Sequence, residues 1–160
     1  MIRPIDFDKD KSSLLRVIRE AFLTVAKGFN LTEENAPTNP AFMSMEKLEQ
    51  SIKNNVEYFV SEEDGQIVGC AAIQIGKDPG EYYLERLAVL PEYRHKGLGR
   101  DLMLRAFKAV KEKGGKTVGI GIVDENKVLK DWYIKNGFKE RSLKKFDHLP
   151  FTVCFLGRKV

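Results

Sequence analysis

The residues of this chain best suited to bind an anion lie together in one basic segment, LAVLPEYRHKGLGR, over residues 87–100. An apolar strand-like run ends there, a basic turn follows, and an amphipathic helix begins with Gly97 and Gly99. The first turn of a helix carries unpaired N–H groups and a partial positive charge, and glycine lets a phosphate approach the backbone. Three side chains would add mobile positive charge: Arg94, Lys96 and Arg100. The segment predicts a cradle for a pyrophosphate.

Other nucleotide-binding motifs do not match this turn. The segment has no Gly-Lys-Ser/Thr, which excludes a P-loop, and the third glycine of a dinucleotide fingerprint would fall at Leu102. An isolated Gly-x-Gly more often only eases the entry into a helix. Here the Arg-x-x-Gly-x-Gly spacing, between an apolar strand and an amphipathic helix, favours a ligand.

A second segment downstream has the composition of a functional motif, Asn126-Lys-Val-Leu-Lys-Asp-Trp-Tyr133-Ile-Lys-Asn-Gly137-Phe138. Together with Arg94-x-x-Gly97-x-Gly99 it resembles the GNAT superfamily of N-acetyltransferases. The resemblance covers about 58–139 through both motifs, and 1–57 through element order alone. It implies an enzyme that moves an acetyl group from acetyl-CoA to a primary amine by direct attack in a ternary complex. A non-catalytic acyl-CoA sensor on the same fold is the alternative.

The resemblance also implies roles for individual residues. The backbone of Leu87, Ala88 and Val89 would pair with the pantetheine arm, as an added strand would. Asn126 would contact the pantetheine or the adenosine end, and Tyr133 would place its hydroxyl near the thioester sulfur. The pyrophosphate would be held by the residues of the turn, with the backbone N–H groups from His95 onward: Arg94, His95, Lys96, Gly97, Leu98, Gly99 and Arg100.

Acetyl transfer needs a base, an oxyanion donor and an acid. The Val89 N–H is the candidate oxyanion donor, and a phenol such as Tyr133 can donate to a thiolate of lower basicity. Glu85 is the candidate base, although it could equally be the ion-pair partner of Arg86. Many members of the family carry a Glu on the strand matched by 117–123, and this chain has none there. An amine that arrives deprotonated, or a water chain, stays open as an alternative to Glu85.

The pattern of elements predicts an α/β fold with a mixed sheet, and the resemblance implies about seven strands flanked by about four helices. A first helix is expected over about Lys11–Lys27, capped by Ser12 and Ser13 and stopped by Gly28. Two β-α-β crossovers imply parallel pairing near the centre of the sheet. Gly119 and Gly121 share one face of a strand; their missing side chains either leave space for the ligand or admit a helix that packs closely.

Composition limits the other functions that the chain could have. With 160 residues we expect one domain over 1–160, and the net charge of +4 is too small to argue for nucleic acid unless it is clustered. Two cysteines and two histidines argue against a disulfide scaffold and a metal site. No apolar run reaches 18 residues and no secretory signal is visible, so we expect a cytoplasmic protein without a membrane partner.

The acceptor cannot be identified from these residues and ranges from a small amine to a peptide. We expect its site to be formed by the irregular loop over 28–43 and by the turn around His148, because such loops vary among enzymes that share a scaffold. His148 could line that site or face solvent. Cys70 and Cys154 are expected to be core thiols, and pairing of the terminal strands between two copies is compatible with a homodimer.

Overall fold

The computed structural model describes residues 1–160 as a seven-stranded mixed sheet with helices on both faces. The strands are β1 Ile2–Pro4, β2 Glu57–Glu63, β3 Gln66–Ile75, β4 Glu81–Val89, β5 Thr117–Val123, β6 Lys139–Lys145 and β7 Thr152–Lys159, in the spatial order β1-β2-β3-β4-β5-β7-β6. The helices are α1 Phe7–Gly28, α2 Met45–Lys53, α3 Leu98–Glu112 and α4 Lys127–Lys135. The predicted α/β fold is therefore confirmed. No helix has both the length and the apolar composition needed to cross a membrane.

The alternation of side chains along the strands divides the core into two layers. One face packs under α1 and α2 and includes Val60, Cys70 and Ala88, whereas the other packs under α3 and α4 and includes Phe59 and Val118. Both cysteines are free and buried, as predicted. We call these the α1/α2 face and the α3/α4 face of the sheet.

The centre of the sheet contains one parallel pair that comes apart along its length. β4 and β5 are paired only from Glu81 opposite Thr117 to Tyr83 opposite Gly119, although both strands continue beyond that point. We call the space between their unpaired ends the β4–β5 gap. Only the crossover through α3 yields adjacent parallel strands, because β7 and not β6 pairs with β5. The prediction of parallel pairing near the centre of the sheet is therefore confirmed, through one of the two crossovers.

A β-bulge interrupts β4 just where the gap opens. Cys70 lies opposite Ala88, but Ala72 lies opposite Glu85, so β4 has one residue more than β3 between these pairs. The bulge is centred on Arg86, whose φ of 50° is left-handed. Its carbonyl accepts a hydrogen bond from the Cys70 thiol, with 3.3 Å between Sγ and O. The bulge fixes which groups of β4 face the gap.

Helix α1 begins earlier than its sequence pattern indicates. It starts at Phe7, and neither Ser12 nor Ser13 caps it. Instead the Asp10 carboxylate accepts the Asp6 backbone N–H at 2.8 Å and pairs with the guanidinium of Arg3 at 2.6 Å. The Asp10 carboxylate thus stabilises the start of α1 in place of the expected serine cap, because it accepts an otherwise unpaired amide and attracts the positive end of the helix.

An ion pair crosses the α1/α2 face of the sheet where β4 and β5 are still joined. Arg141 on β6 donates to Glu81 on β4, with Nη1 and Oε1 3.1 Å apart. The side chain of Arg141 lies over Gly157 of β7, where an added Cβ would overlap its guanidinium, and a Cβ at Gly119 would lie 3.4 Å from Glu81. The two glycines leave the space in which this pair ties four strands together.

We expect Gly157→Ala to lower the free energy of unfolding by about 1 kcal/mol, because its methyl group displaces Arg141 and leaves Glu81, whose side chain is 12% exposed, without its partner. Arg141→Ala should destabilise by a similar amount. The double variant should be no less stable than either single one, because both remove the same contact. Urea unfolding measures all three.

The control for this set is Gly28→Ala at the last position of α1. A Cβ there meets nothing within 4 Å, so its stability should equal or slightly exceed that of the parent. A Gly157→Ala variant as stable as Gly28→Ala would contradict the role of the ion pair.

Candidate active site

The turn between β4 and α3 presents a continuous run of free backbone amides. The six N–H groups from His95 to Arg100 donate to no acceptor within the protein, and the first helical bond runs from the Asp101 N–H to the Gly97 carbonyl at 3.0 Å. His95 and Gly97 have φ values of 62° and 86°. A backbone that alternates between left- and right-handed conformations directs successive amides toward one anion. An added Cβ at Gly97 would meet nothing within 4 Å, so the approach to these amides is open.

The basic side chains of this turn behave in two ways. Lys96 and Arg100 are exposed, which is compatible with the mobile positive charge predicted for them. Arg94 is not mobile: its guanidinium donates to the Val89 carbonyl, the Ala21 carbonyl and the Thr24 hydroxyl, each at 3.0 Å. The prediction that Arg94 supplies free positive charge is therefore wrong, because backbone and hydroxyl oxygens of β4 and α1 already satisfy its donors. Arg94 instead attaches the turn to α1.

The end of β4 directs unpaired backbone groups into the β4–β5 gap. The Leu90 N–H donates to the Val68 carbonyl at 2.9 Å, across the ladder to β3. Because backbone groups alternate along a strand, Ala88 also faces β3, whereas Leu87 and Val89 direct their N–H and C=O groups toward β5. β5 is no longer paired at this height. The Val89 carbonyl is taken by Arg94, which leaves its N–H available.

Tyr133 lies in α4 with a buried ring and a hydroxyl that has no partner in the protein. The ring packs edge-on against Trp132 and Phe138, with centroids 5.0 and 5.3 Å away. Burial raises the pKa of the Tyr133 hydroxyl, and no hydrogen bond opposes that shift. The phenol therefore stays protonated at neutral pH. A Cβ at Gly99 would lie 3.8 Å from Trp132 and 3.9 Å from Val89, so α4, the turn and the end of β4 converge there.

Glu85 lies on the α1/α2 face, opposite to the side of the sheet that packs on Tyr133. Its neighbour Leu84 is in the α3/α4 core, and the bulge that follows brings Arg86 to the same face as Glu85. The Glu85 side chain is 32% exposed, and its Oε2 lies 3.4 Å from Nη1 of Arg86. Burial raises the pKa of the Glu85 carboxyl, and the guanidinium of Arg86 opposes that increase. The ion pair with Arg86 expected from the sequence is therefore present, and the role of Glu85 as a base stays a prediction.

Two other predicted site features have structural partners of their own. The side-chain oxygen of Asn126 accepts the Leu129 N–H at 3.2 Å and caps α4, which leaves its amide N–H groups for another partner. Gly119 and Gly121 lie on the α1/α2 face, away from α3. A Cβ at Gly119 would lie 3.3 Å from Tyr83, and one at Gly121 would lie 3.2 Å from Phe155. The nearest neighbours of both glycines are side chains of β4 and β7 rather than of a helix, and Gly121 is exposed.

The loop and the turn expected to form the acceptor site meet each other. Leu31, Ala36 and Ala41 form a small buried cluster with the last turn of α1, and Phe151 from the β6–β7 connection packs against it. His148 is exposed beside Phe146, with ring centroids 5.7 Å apart. The loop and the β6–β7 connection therefore pack together at the end of α1, and their role in acceptor binding stays a prediction.

Three potential metal ligands also cluster beside the start of α4. A carboxylate oxygen each from Asp124 and Glu140 and the sulfur of Cys154 lie within 4.8 Å of one another. The Lys130 ammonium contacts Asp124 and lies 3.7 Å from Glu140. The lysine already supplies the positive charge that these carboxylates require.

Sequence reasoning missed the residues that support the site from a distance. Tyr58 binds Arg86, Ser51 binds Tyr58, and Thr24 binds Arg94. In the sequence, Tyr58 is an aromatic residue in a predicted strand, and Ser51 and Thr24 are hydroxyl residues in predicted helices. Only the register of β2 on β3 and the packing of α1 and α2 bring them to β4, so no local signal could have identified them.

Comparison with known proteins gives a consistent assignment. Residues 23–138 match the model of the Acetyltransferase (GNAT) family. The chain is 30% identical over 136 residues to spermidine N(1)-acetyltransferase of Thermoplasma acidophilum, which covers 82% of this chain and 83% of that protein. It is 28% identical to amino-acid acetyltransferase of Pseudomonas fluorescens over 81% of this chain but only 29% of that protein.

Solved structures agree with this result. The PaiA N-acetyltransferase of Thermoplasma acidophilum, crystallised with coenzyme A, superposes with a TM-score of 0.82 at 26% identity and covers 100% of this chain and 98% of its own. The ribosomal-protein-S18-alanine N-acetyltransferase of Escherichia coli shares the fold, with a TM-score of 0.78 at 16% identity over 100% of this chain and 93% of that one. The chain therefore belongs to the acetyltransferase (GNAT) family and is an acetyl-CoA-dependent N-acetyltransferase.

Proposed function

We propose that the enzyme transfers the acetyl group directly to a primary amine, with both substrates bound at once in the β4–β5 gap. The amides of residues 95–100 bind the pyrophosphate, and the free edge of Leu87–Val89 pairs with the pantetheine arm. The observation that carries this proposal is the run of six amides without an internal acceptor, next to a strand edge that has lost its partner. Additional contacts to the cofactor come from the exposed side chains of Lys96 and Arg100 and from the side-chain amide N–H groups of Asn126.

The proposed reaction uses three groups around the thioester. Glu85 takes a proton from the acceptor ammonium, and the neutral amine forms a C–N bond with the carbonyl carbon. The Val89 N–H donates to the oxygen on which negative charge develops. As the C–S bond breaks, Tyr133 gives its proton to the leaving sulfur and regains one from the amine nitrogen through solvent. One proton is released overall, from Glu85.

The acceptor is a primary amine that approaches from the α1/α2 face. The carboxylate of Glu85 is partly exposed on that face and would favour a cationic substrate. Spermidine is the first amine to test, because the relative that matches most of this chain at 30% identity is named for it. Amino acids and peptides with an N-terminal alanine come next, and the release of free thiol from acetyl-CoA measures transfer to each.

Acetyl-CoA should stabilise the protein through the open turn. At about 100 times its Kd the ligand should add about 2.7 kcal/mol, a rise in Tm of about 5–10 °C for a chain of this size. We expect Gly97→Ala to lose most of that rise, because its methyl group occupies the open approach to the amides. Differential scanning fluorimetry with and without acetyl-CoA measures the effect.

Gly114→Ala is the matched control at the other end of α3. Gly97 and Gly114 have φ values of 86° and 78°, and an added Cβ meets nothing at either position. Both alanine variants therefore lose a similar amount of intrinsic stability, about 1 kcal/mol. An equal ligand-induced rise in the two variants would argue against pyrophosphate binding at Gly97.

Tyr133→Phe should lower kcat by about 100-fold, because the leaving sulfur loses its proton donor. The Tm should stay within about 1 °C of the parent value, since the hydroxyl makes no hydrogen bond in the protein. The control is Tyr82→Phe, which changes a half-buried tyrosine at the start of β4 and should retain full turnover. Unchanged kcat in Tyr133→Phe would remove this residue from the mechanism.

Glu85→Gln should abolish the acid limb of the pH–kcat profile. Only the carboxylate form of Glu85 accepts a proton, so wild-type activity rises with pH as this group deprotonates, and its raised pKa moves the limb above the usual range for glutamate. The variant should be about 100-fold slower at neutral pH and flat through that range. Superimposable normalised profiles for the two proteins would identify Glu85 as a bystander.

A further inference from the structure

A buried chain of hydrogen bonds connects the β4 bulge to α2. Nη1 of Arg86 donates to the Tyr58 hydroxyl at 2.7 Å, and that hydroxyl lies 2.9 Å from Oγ of Ser51. The Ser51 hydroxyl donates to the Leu48 carbonyl at 2.6 Å. Because the proton of Ser51 is used on Leu48, Tyr58 must be the donor to Ser51, and its oxygen is left to accept from Arg86. The direction of every bond in the chain is thus determined.

The hydrogen bond to Tyr58 holds the Arg86 guanidinium more closely than the Glu85 carboxylate does. The same nitrogen that lies 2.7 Å from Tyr58 lies 3.4 Å from the Glu85 carboxylate, and a charge-assisted hydrogen bond is normally about 2.7–2.9 Å long. Tyr58 is fully buried and Ser51 is nearly so, whereas Glu85 is partly exposed. The rigid partner of the guanidinium is therefore the tyrosine.

The bulge makes this restraint necessary. Adjacent residues of a regular strand point to opposite faces, but the bulge brings Glu85 and Arg86 to one face, within reach of each other. A guanidinium released from Tyr58 could turn and bind the carboxylate through two hydrogen bonds. A carboxylate bound in that way is a weaker base and has less free surface toward an incoming ammonium.

We propose that Tyr58, anchored through Ser51 to the backbone of α2, is a positioning residue that holds Arg86 in a single long contact with Glu85 and so leaves that carboxylate able to take a proton from the acceptor amine. The proposal rests on the proposed role of Glu85 as the base. Arg86 still stabilises the charged carboxylate in this arrangement, but it leaves the oxygens of Glu85 free to accept a proton.

The other groups that face the pair are neutral. From β2 comes Tyr58, from β3 the Cys70 thiol, and from α2 the Ser51 hydroxyl. Burial raises the pKa of Tyr58 above its ordinary value and that of Cys70 to about 12. Neither titrates with Glu85, and the guanidinium of Arg86 is the one charge that acts on its pKa.

The test follows the carboxyl carbon of Glu85 by NMR in protein labelled with 13C at glutamate side chains, with Glu85→Gln to assign the resonance. We expect Tyr58→Phe to move the Glu85 titration down by about one pH unit, because the released guanidinium closes on the carboxylate. Ser51→Ala should move it in the same direction by less. Arg86→Gln should move it up, since it removes the opposing charge and leaves the burial.

An unmoved or rising titration in Tyr58→Phe would overturn the proposal. The control is Tyr82→Phe, which changes a tyrosine that takes no part in these hydrogen bonds and should leave the Glu85 titration unchanged. The acid limb of the pH–kcat profile should follow the NMR midpoint in each variant. If the NMR shifts occur but Glu85→Gln keeps the wild-type limb, Glu85 is not the base, and the proposed proton transfer fails while the restraint on Arg86 stands.

Discussion

The β-bulge at Arg86 is the constraint on which the rest of the site depends. Tyr82 and Leu84 before it, and Leu87 and Val89 after it, all pack toward the α3/α4 face. A strand without the extra residue would send one of these pairs to the opposite face, since a shift of one position exchanges the two sides. It would also turn the Val89 N–H from the β4–β5 gap toward β3. One inserted residue thus keeps the core continuous and frees the strand edge.

Such a bulge requires compensation, and the structure provides it from several elements. A left-handed φ at a residue with a long side chain costs of order 1 kcal/mol. The carbonyl that leaves the ladder accepts the Cys70 thiol, and the guanidinium of Arg86 binds Tyr58. Arg94 has the same function at the next turn, where it attaches the Val89 carbonyl to α1. Arg94, which the sequence predicts as a ligand-binding residue, and Arg86, which it offers only as an ion-pair partner of Glu85, therefore both support the backbone.

Local signals explain why much of the fold could be predicted and where prediction stopped. The glycines and the basic turn before α3 lie within a few residues of each other, so the sequence was sufficient to single out the turn whose backbone amides have no internal acceptor. The partners of Arg94 lie 70 and 73 residues away on α1, and the direction of its guanidinium depends on how that helix packs. The bulge is likewise a mismatch between two strands. The only local trace of it is the change in β4 from even to odd apolar positions between Leu84 and Leu87, and the partner strand decides what that change means.

The positions of the acid and the base on opposite faces of the sheet give the proposed reaction its direction. Tyr133 belongs to the α3/α4 layer, and Glu85 faces the α1/α2 side. In a continuous sheet the hydrogen-bonded strands would separate them, and only beyond Tyr83 and Gly119 do β4 and β5 leave a passage. The thioester would then enter from one face and the amine from the other. Glu85 would take its proton from the amine on one face, and Tyr133 would give its proton to the leaving sulfur on the other.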